Sequence, residues 1–544
     1  MNRRHFVLSW GRKLFFGLAW PLFSLIGLIY LQSFILPRTT LESFYFLVSY
    51  IGHYGALTSV AYFLLYCPVI LIFPTYYFSR IWSLIVILIV SSMIFFDAYI
   101  FSQFRFHLNQ FFINLFYQEG LQGIISTKST IILFFVSLFV GSIVIWFRGN
   151  MSWRSMQKRF SNPVSNWYLV LIVLCLGVSH LVRKYSSKPL DRMTTLFPGS
   201  FILSGSFENP QVQDDGRLYY PKDELRCMGK SNSNIAFIVL KGLPTQDLNP
   251  EKLPHLSHLK SHASSWNTHY SGSTGSLGGL FSLLYSVSPT YIDAFRRENK
   301  RPVFFDELEK RKYQTAFFLP SVPGSGFESF FTQMKGEEIV NGSIVESWKK
   351  WHSLKKPEAP FFSFFYFDVS HNQTEAGLAE WTRVDREIRS LLTTMLHDHS
   401  LKNTTVVITG SHGLDNGNGE ITEDKLKTPL LVIWPNRHQK EYAQVSSHYD
   451  VIPTLMKELW NCKTSLHAYS MGRSLNDISP HHWQLIEVDN AFALMDLEKR
   501  NFSRITAKGG FEVKDFFAQD LPRSKGRTEL TLKALKENYR FYKR

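Results

Sequence analysis

A chain of 544 residues has room for two or more domains, and 45% apolar content with 15% aromatic residues is high for a purely soluble protein. The formal net charge of +15 would suit nucleic acid, but a basic domain tethered outside a membrane does not ordinarily meet any, so anionic lipid is the expected partner. The apolar excess lies at the front of the chain. Stretches 14–36, about 55–73, 81–101, 131–147 and 167–182 each approach the roughly 17 to 25 residues that cross a bilayer, which predicts five spans. The first is too long for a signal peptide and no small-x-small cleavage site follows it, so it is expected to stay as an anchor.

Basic residues of short loops accumulate on the cytoplasmic side. Arg3, Arg4, Arg12 and Lys13 precede the first span, Arg80 separates the second and third, and Arg148, Arg154, Lys158 and Arg159 lie between the fourth and fifth. The other side has only Arg38, Arg105 and Lys128. The N-terminus is therefore predicted inside and everything after the fifth span outside, in a bacterial periplasm. Asp97 is costly near the end of the third span, where Arg105 or a neighbouring helix is its expected partner. Arg183, Lys184 and Lys188 follow the fifth span on the outer face, placed either to meet lipid phosphates or to snorkel and anchor the helix end.

From 188 to 231 the composition reads as a linker, with Pro189, Pro198, Pro210 and Pro221 among Gly, Ser and Asp. Its apolar piece, Leu196-Phe-Pro-Gly-Ser-Phe-Ile-Leu203, fits either the membrane interface or a place beneath a globular domain. Beyond it, apolar runs at 235–240, 315–319, 361–367, 405–408 and 429–434 alternate with longer periodic segments such as 381–397. Continuous apolar runs suit parallel strands buried on both faces, so a mainly parallel sheet flanked by helices is predicted. Ligands bind such sheets at the carboxyl ends of strands, where Lys241, His371 and His412 fall. Cys227 and Cys462 share the external part, and spacing alone leaves open whether they pair. The tail spaces Leu532, Leu535, Tyr539 and Tyr542 at helical intervals among Lys533, Lys536, Arg540 and Lys543, which suits a docked terminal helix or a membrane-surface one.

Ile408-Thr-Gly-Ser-His-Gly413, at the end of one apolar run, resembles the Gly-Asp-His-Gly by which alkaline-phosphatase-like hydrolases deliver a carboxylate and an imidazole to a divalent cation. Ser411 stands at the aspartate position. The first strand of such hydrolases ends in an acidic metal ligand, whereas here it ends in Lys241, whose ammonium has no lone pair to give. In Ser271-Gly-Ser-Thr-Gly-Ser-Leu-Gly-Gly279, Ser276 matches the position of a catalytic threonine, with a plain helix cap as the bland reading. His371 matches a substrate-binding histidine, His412 keeps a ligand position, and Lys425 stands near where a further histidine is common. Lysines that supply a metal's positive charge without its Lewis acidity would leave a pocket able to bind phosphate but not to transfer it.

Ser49-Tyr-Ile-Gly-His-Tyr54, Phe96-Asp-Ala-Tyr-Ile-Phe-Ser-Gln-Phe-Arg-Phe-His-Leu-Asn109, Tyr219-Tyr-Pro-Lys-Asp-Glu-Leu225 and Phe281-Ser-Leu-Leu-Tyr-Ser-Val-Ser-Pro-Thr-Tyr-Ile-Asp293 resemble the YejM (PbgA) family of Gram-negative inner membranes along nearly the whole chain. The external domain of that family is similar to those of lipoteichoic acid synthases and phosphoethanolamine transferases, members of the sulfatase and alkaline phosphatase superfamily. The resemblance implies a five-helix transmembrane domain at 1–187, a periplasmic linker at 188–231, a sulfatase-like α/β domain at 232–505 and a basic C-terminal extension at 506–544. It further implies a non-catalytic lipid sensor that regulates lipopolysaccharide synthesis and outer-membrane assembly, with lipopolysaccharide (lipid A) or cardiolipin as the anionic lipid and a membrane-embedded adaptor as partner. Family members can carry an Arg pair near the end of the linker, where this chain has Gly205 and Ser206, so lipid contact would rest on Arg183, Lys184, Lys188 and Arg192. Two further readings remain, a phosphatase or phosphoethanolamine transferase using Ser276 and one divalent ion such as Mn, Mg or Zn, and a cardiolipin transport protein. The degenerate ligand positions predict no cofactor.

Overall fold

The computed structural model describes residues 3–33, 39–104, 107–108, 167–185, 197–198, 218–229, 231–319, 330–331, 333–340, 343–369, 375–414, 420–435, 439–479, 481–488, 491–505, 511–522 and 526–542. They fall into two compact units, Met1–Arg217 and a second built from Leu218–Thr506 and Phe511–Tyr542.

In the first unit, α1 (Arg3–Tyr30), α2 (Thr40–Ile72) and α3 (Tyr76–Ser102) are long and apolar enough to cross a bilayer. A further apolar helix, α4 (Trp167–Tyr185), matches the fifth expected span but is shorter in its apolar stretch. Among the described residues there are thus three full-length candidates rather than five, and the expected span at 131–147 lies outside them. Helices also start earlier than hydropathy suggests, at Arg3 instead of 14 and at Thr40 instead of 55. Polar first turns lower hydropathy without breaking a helix, and the Thr39 hydroxyl caps α2 by accepting from the Glu42 N–H at 3.2 Å.

Small residues let α2 approach α4. A Cβ on Gly55 would stand 2.5 Å from Ile172, one on Gly52 would stand 3.2 Å from the Leu176 backbone nitrogen, and the Ser49 and Ser179 hydroxyls hydrogen-bond at 2.7 Å. Rising positions on α2 therefore meet falling positions on α4, so the two run antiparallel. Asp97 is buried on α3, where its carboxylate accepts from Tyr30 Oη at 2.5 Å, His107 Nδ1 at 2.6 Å and the Leu108 N–H at 2.5 Å. A hydroxyl, an imidazole and a backbone amide are its partners; Arg105 lies outside the described residues.

The second unit is α/β. Its large sheet contains β1 (Asn234–Leu240), β2 (Ser264–Tyr270), β3 (Gln314–Leu319), β4 (Glu337–Val340), β5 (Phe361–Phe367), β6 (Thr404–Gly410), β7 (Lys427–Ile433), β8 (Glu441–Tyr442) and β9 (Ser446–Ser447). The order is β4-β3-β5-β1-β6-β7-β2-β8, with β9 beside β2. Every neighbouring pair is parallel except those made by β7, which opposes both β6 and β2. The sheet is mixed, with one reversed strand that an apolar run cannot reveal, since burial on both faces says nothing of direction. β1, β5 and β6 are buried almost throughout. Between strands, α5 (Ser276–Tyr285), α6 (Ile344–Leu354), α7 (Glu375–His397) and α8 (Val451–Trp460) supply the covering layers. Trp348 and Trp351 of α6 with Trp381, Val384 and Leu391 of α7 close one core against Ile238, Leu240, Phe365 and Ile408.

A second sheet, β10 (Trp483–Val488), β11 (Ala491–Asp496), β12 (Asn501–Ile505), β13 (Phe511–Asp515) and β14 (Asp520–Leu521), is an antiparallel meander. It carries the chain through the expected boundary at 505, so 511–542 are part of the second unit. The tail is helix α9 (Thr528–Asn538), and Leu532, Leu535, Tyr539 and Tyr542 are all buried. Its apolar face packs into its own domain, which leaves that face no membrane surface to meet. Arg527 secures it by a two-pronged ion pair to buried Asp496, Nε–Oδ2 2.5 Å and Nη2–Oδ1 2.8 Å.

The expected linker is shorter at both ends than composition implies. Phe197 is buried in the first unit's core, so this residue of the apolar stretch packs against the helices there. At the other end the Tyr219 N–H donates to Phe541 O at 2.8 Å, and Cys227 forms a disulfide with Cys462, 235 positions later. Arg311 donates to the carbonyls of Cys227 and Gly229 at 3.1 and 3.2 Å and lies over the Trp460 ring. Closing so long a loop stabilises the fold by about 5 kcal/mol in the chain-entropy model.

Candidate functional site

The carboxyl ends of β1, β5 and β6 are tied together by backbone. The Lys241 N–H donates to Phe367 O, the Ser411 N–H to Leu240 O and the Leu243 N–H to His412 O, each at 2.8 Å. Gly242, with φ of 59°, makes the turn that a side chain would strain. These bonds converge Lys241, Asp368, Ser411 and His412 on one edge, as the strand pattern requires.

At that edge the Lys241 ammonium is 3.1 Å from Asp368 Oδ1, both side chains being partly exposed. Ser411 is fully buried; its hydroxyl lies 3.0 Å from His412 Nδ1 and accepts from the Gly242 N–H at 3.4 Å. Lys425 is buried just before β7, and its carbonyl accepts from the Gly413 N–H at 2.8 Å. Gly413 has no alternative there, because a Cβ would meet Asp424 O at 2.0 Å.

Helix α5 brings in the serine-rich loop. The Ser271 hydroxyl donates to Ser411 O at 2.9 Å, and α5 approaches so closely that a Cβ on Gly279 would stand 1.7 Å from the same oxygen. Ser276 is half-buried and is the first helical residue; the cap position belongs to Gly275. The helix-cap reading of Ser276 therefore gives way to one in which its hydroxyl faces the site, within interaction range of Tyr366. Ser273 does the local stabilising instead, accepting from the Gly275 N–H at 3.0 Å and donating to Glu487 Oε2 at 2.6 Å.

Three groups here were invisible in the sequence pattern. Tyr366 is hidden inside an aromatic run, yet its buried hydroxyl neighbours both Ser276 and Ser411, and burial pushes its pKa well up. His448 packs behind α5, with Nδ1 3.1 Å from Gly279 O and 3.2 Å from Ser282 Oγ, and burial pulls its pKa down to about 4. His269 on β2 lies 5.1 Å from it, ring to ring, holds Ser446 Oγ at 2.8 Å, and is likewise held well below the usual histidine value by burial. The only sequence cue to either was a histidine within a polar stretch, which periodicity assigns to no face.

The fold would present a divalent cation to the ends of β1 and β6, and the residues there do not fit one. The β1 position offers an ammonium already paired with Asp368, and the β6 position offers a hydroxyl bonded to its neighbouring imidazole. Among the described residues, no three His, Cys, Asp or Glu side chains converge as a ligand set. A neutral hydroxyl and one imidazole lack the charge that holds hard divalent ions. His371, Lys188 and Arg192 lie outside the described residues, as does the side chain of Arg183. Lys184 is exposed on α4, its ammonium 5.7 Å from the Tyr185 ring centroid.

Residues 2–198 match the family described as a domain of unknown function, DUF3413, and residues 237–459 match the Sulfatase family. An uncharacterized protein of Haemophilus influenzae is 25% identical over 518 residues, 88% of this chain and 86% of that one. Inner membrane protein YejM of Salmonella typhimurium is 21% identical over 581 residues, covering 98% and 97%. Among solved structures, an alkaline phosphatase superfamily protein from Vibrio parahaemolyticus has a TM-score of 0.46 at 14% identity, covering 60% of this chain and 88% of its own. Lipoteichoic acid synthase LtaP from Listeria monocytogenes has a TM-score of 0.45 at 12% identity, covering 60% and 95%.

Proposed function

We propose that this chain, a relative of the YejM inner membrane proteins with a sulfatase-family domain, is a non-catalytic inner-membrane lipid sensor that regulates lipopolysaccharide synthesis and outer-membrane assembly. The domain after Leu218 is periplasmic in this reading, with anionic lipid as the signal and a membrane-embedded adaptor as the receiver. What supports it most is the Lys241–Asp368 ion pair at 3.1 Å. In an acyl or phosphoryl transfer site of this fold a cation with Lewis acidity would lower the barrier there; a lysine neutralised by a carboxylate supplies neither open coordination nor net charge. The scaffold that would position chemistry is intact while the groups that would perform it are replaced.

The test is metal content and phosphoesterase turnover of the purified full chain with a range of divalent ions, beside a Ser276→Ala control and a K241E/S411D variant that returns both acids. The expected result is no Ser276-dependent turnover in the native chain and tighter Mn²⁺ retention in the double variant. Metal-dependent turnover of the native chain that disappears in Ser276→Ala would overturn the reading.

A further inference from the structure

Helix α4 runs to Tyr185, and Phe197 packs within the same unit. Its antiparallel register against α2 sets Ser179 beside Ser49 and Leu176 beside Gly52. At about 1.5 Å per helical residue, these levels lie roughly 9 to 14 Å inside the end of α4. Phe197 sits at that depth. Its ring packs against Phe46 at 6.2 Å, Tyr50 at 6.3 Å and His53 at 5.0 Å, all between centroids, and only 3% of the residue is exposed. The next residue is held by a polar contact, His53 Nε2 being 2.9 Å from Pro198 O.

Irregular backbone at membrane depth survives only where protein satisfies its polar groups. The two residues here meet that condition: an aromatic seat takes the side chain of Phe197 and a buried imidazole takes the carbonyl of Pro198. His53 is also within electrostatic reach of Asp97 and His107, which connects the seat to the carboxylate cluster that joins α1, α3 and the segment after α3. A tether that only led away from the membrane would need none of this.

We propose that Phe197–Pro198 is a re-entrant plug seated on Phe46, Tyr50 and His53 of α2, through which displacement of the external linker is transmitted to the membrane helices. The proposal rests on the regulatory reading above, and it makes the working membrane module end at Pro198 instead of at the end of α4. Unseating Phe197 empties the seat on α2 and takes the Pro198 carbonyl away from His53 without touching the second unit.

The experiment places benzoylphenylalanine at position 197 of the full chain in native membranes and maps photoadducts, then compares Phe197→Ala and Phe197→Leu for restoring the lipopolysaccharide-to-phospholipid ratio of depleted cells. Adducts are expected on α2 near Phe46, Tyr50 and His53. Phe197→Ala should lower occupancy of the seat by roughly a hundredfold and lose control of the ratio, with Phe197→Leu restoring most of it and the purified Ala variant still melting cooperatively. Adducts on lipid alone would overturn the seat, and full control by Phe197→Ala with adducts in place would overturn the coupling. A native chain that exerts no control at all would sink the regulatory reading while leaving the α2 adducts, so the two failures are distinct.

Discussion

The membrane unit keeps a carboxylate where apolar surroundings make one expensive, while the second unit carries a lysine and a serine where the sequence resemblance leads one to expect acids. Asp97 is buried, and three donors stand within 2.6 Å of its two oxygens. At the end of the large sheet, Ser411 and Lys241 occupy acid positions, and the acid that is present, Asp368, neutralises the lysine. A buried charge is retained only if its removal costs more than its desolvation. By that criterion the buried polar groups around Asp97 hold segments of the membrane unit together, and the proposed function makes the end of the large sheet a scaffold.

The strongest way to sharpen this contrast is to attack the scaffold and not its side-chain chemistry. Gly279→Ala would drive a methyl group to 1.7 Å from Ser411 O and 2.7 Å from Ser411 C, both backbone atoms. We expect a loss of more than about 3 kcal/mol, enough to prevent a cooperative thermal transition of the second unit. Ser276→Ala, three residues away, should cost only about 1 kcal/mol, the worth of one half-buried hydroxyl beside Tyr366. Equal effects would mean that Ser276 carries structure unaccounted for by its place on α5.

Asp97→Ala comes next. It removes the acceptor of the Leu108 N–H and leaves the Tyr30 hydroxyl its longer bond to Ile94 O at 3.2 Å, and should cost roughly 3 kcal/mol, read as a lowered melting temperature of the detergent-solubilised chain. Asp97→Asn should cost less, since an amide keeps one acceptor. If both variants melt as the native chain does, Asp97 is not the structural keystone of the contrast and its role is elsewhere.

Legibility in the sequence follows the same division. β1, β5 and β6 stood out because strands buried on both faces read as unbroken apolar runs, and the site edge followed from where those runs end. β2 did not, because Ser264, Ser265, Asn267, Thr268 and His269 make it polar, and several of these are nevertheless buried by bonding partners far along the chain, such as Ser446. Ser411 and Lys241 were readable as substitutions against a resemblance, but the Asp368 pairing and the Tyr366 hydroxyl needed coordinates. The same holds for Cys227 and Cys462, since nothing local announces a bond across 235 positions. Phe197 was legible as apolar, whereas its return into the helices depends on an α2 surface that hydropathy averages away.

Acid titration gives a smaller effect confined to the second unit. His448 is neutral in the fold with a pKa near 4 against an ordinary 6.5, and His269 is depressed in the same direction. Between those values the unfolded chain binds protons that the folded chain refuses. Stability is therefore fully present above about pH 6.5 and is lost as pH falls toward 4, by up to about 1.4 kcal/mol per pH unit for each histidine. His448→Gln should flatten the slope of stability against pH over that window. An unchanged slope would mean that the His448 ring does not resist protonation where it packs behind α5.

The smallest expected change is at the pair that most marks the site as altered. Lys241 and Asp368 are 36% and 44% exposed, so water screens their attraction and Lys241→Met should cost less than about 1 kcal/mol in urea unfolding. Lys241→Glu differs in kind, since it sets two carboxylates side by side and should destabilise the domain until a divalent cation is added. Like charges side by side repel, and a divalent cation between them removes that repulsion. Restoration by Mn²⁺ but not by salt of equal ionic strength would locate a latent coordination geometry at the ends of β1 and β5. If Mn²⁺ does nothing, the strand ends have moved beyond the geometry of a metal site, and the lysine records a scaffold already committed to another use.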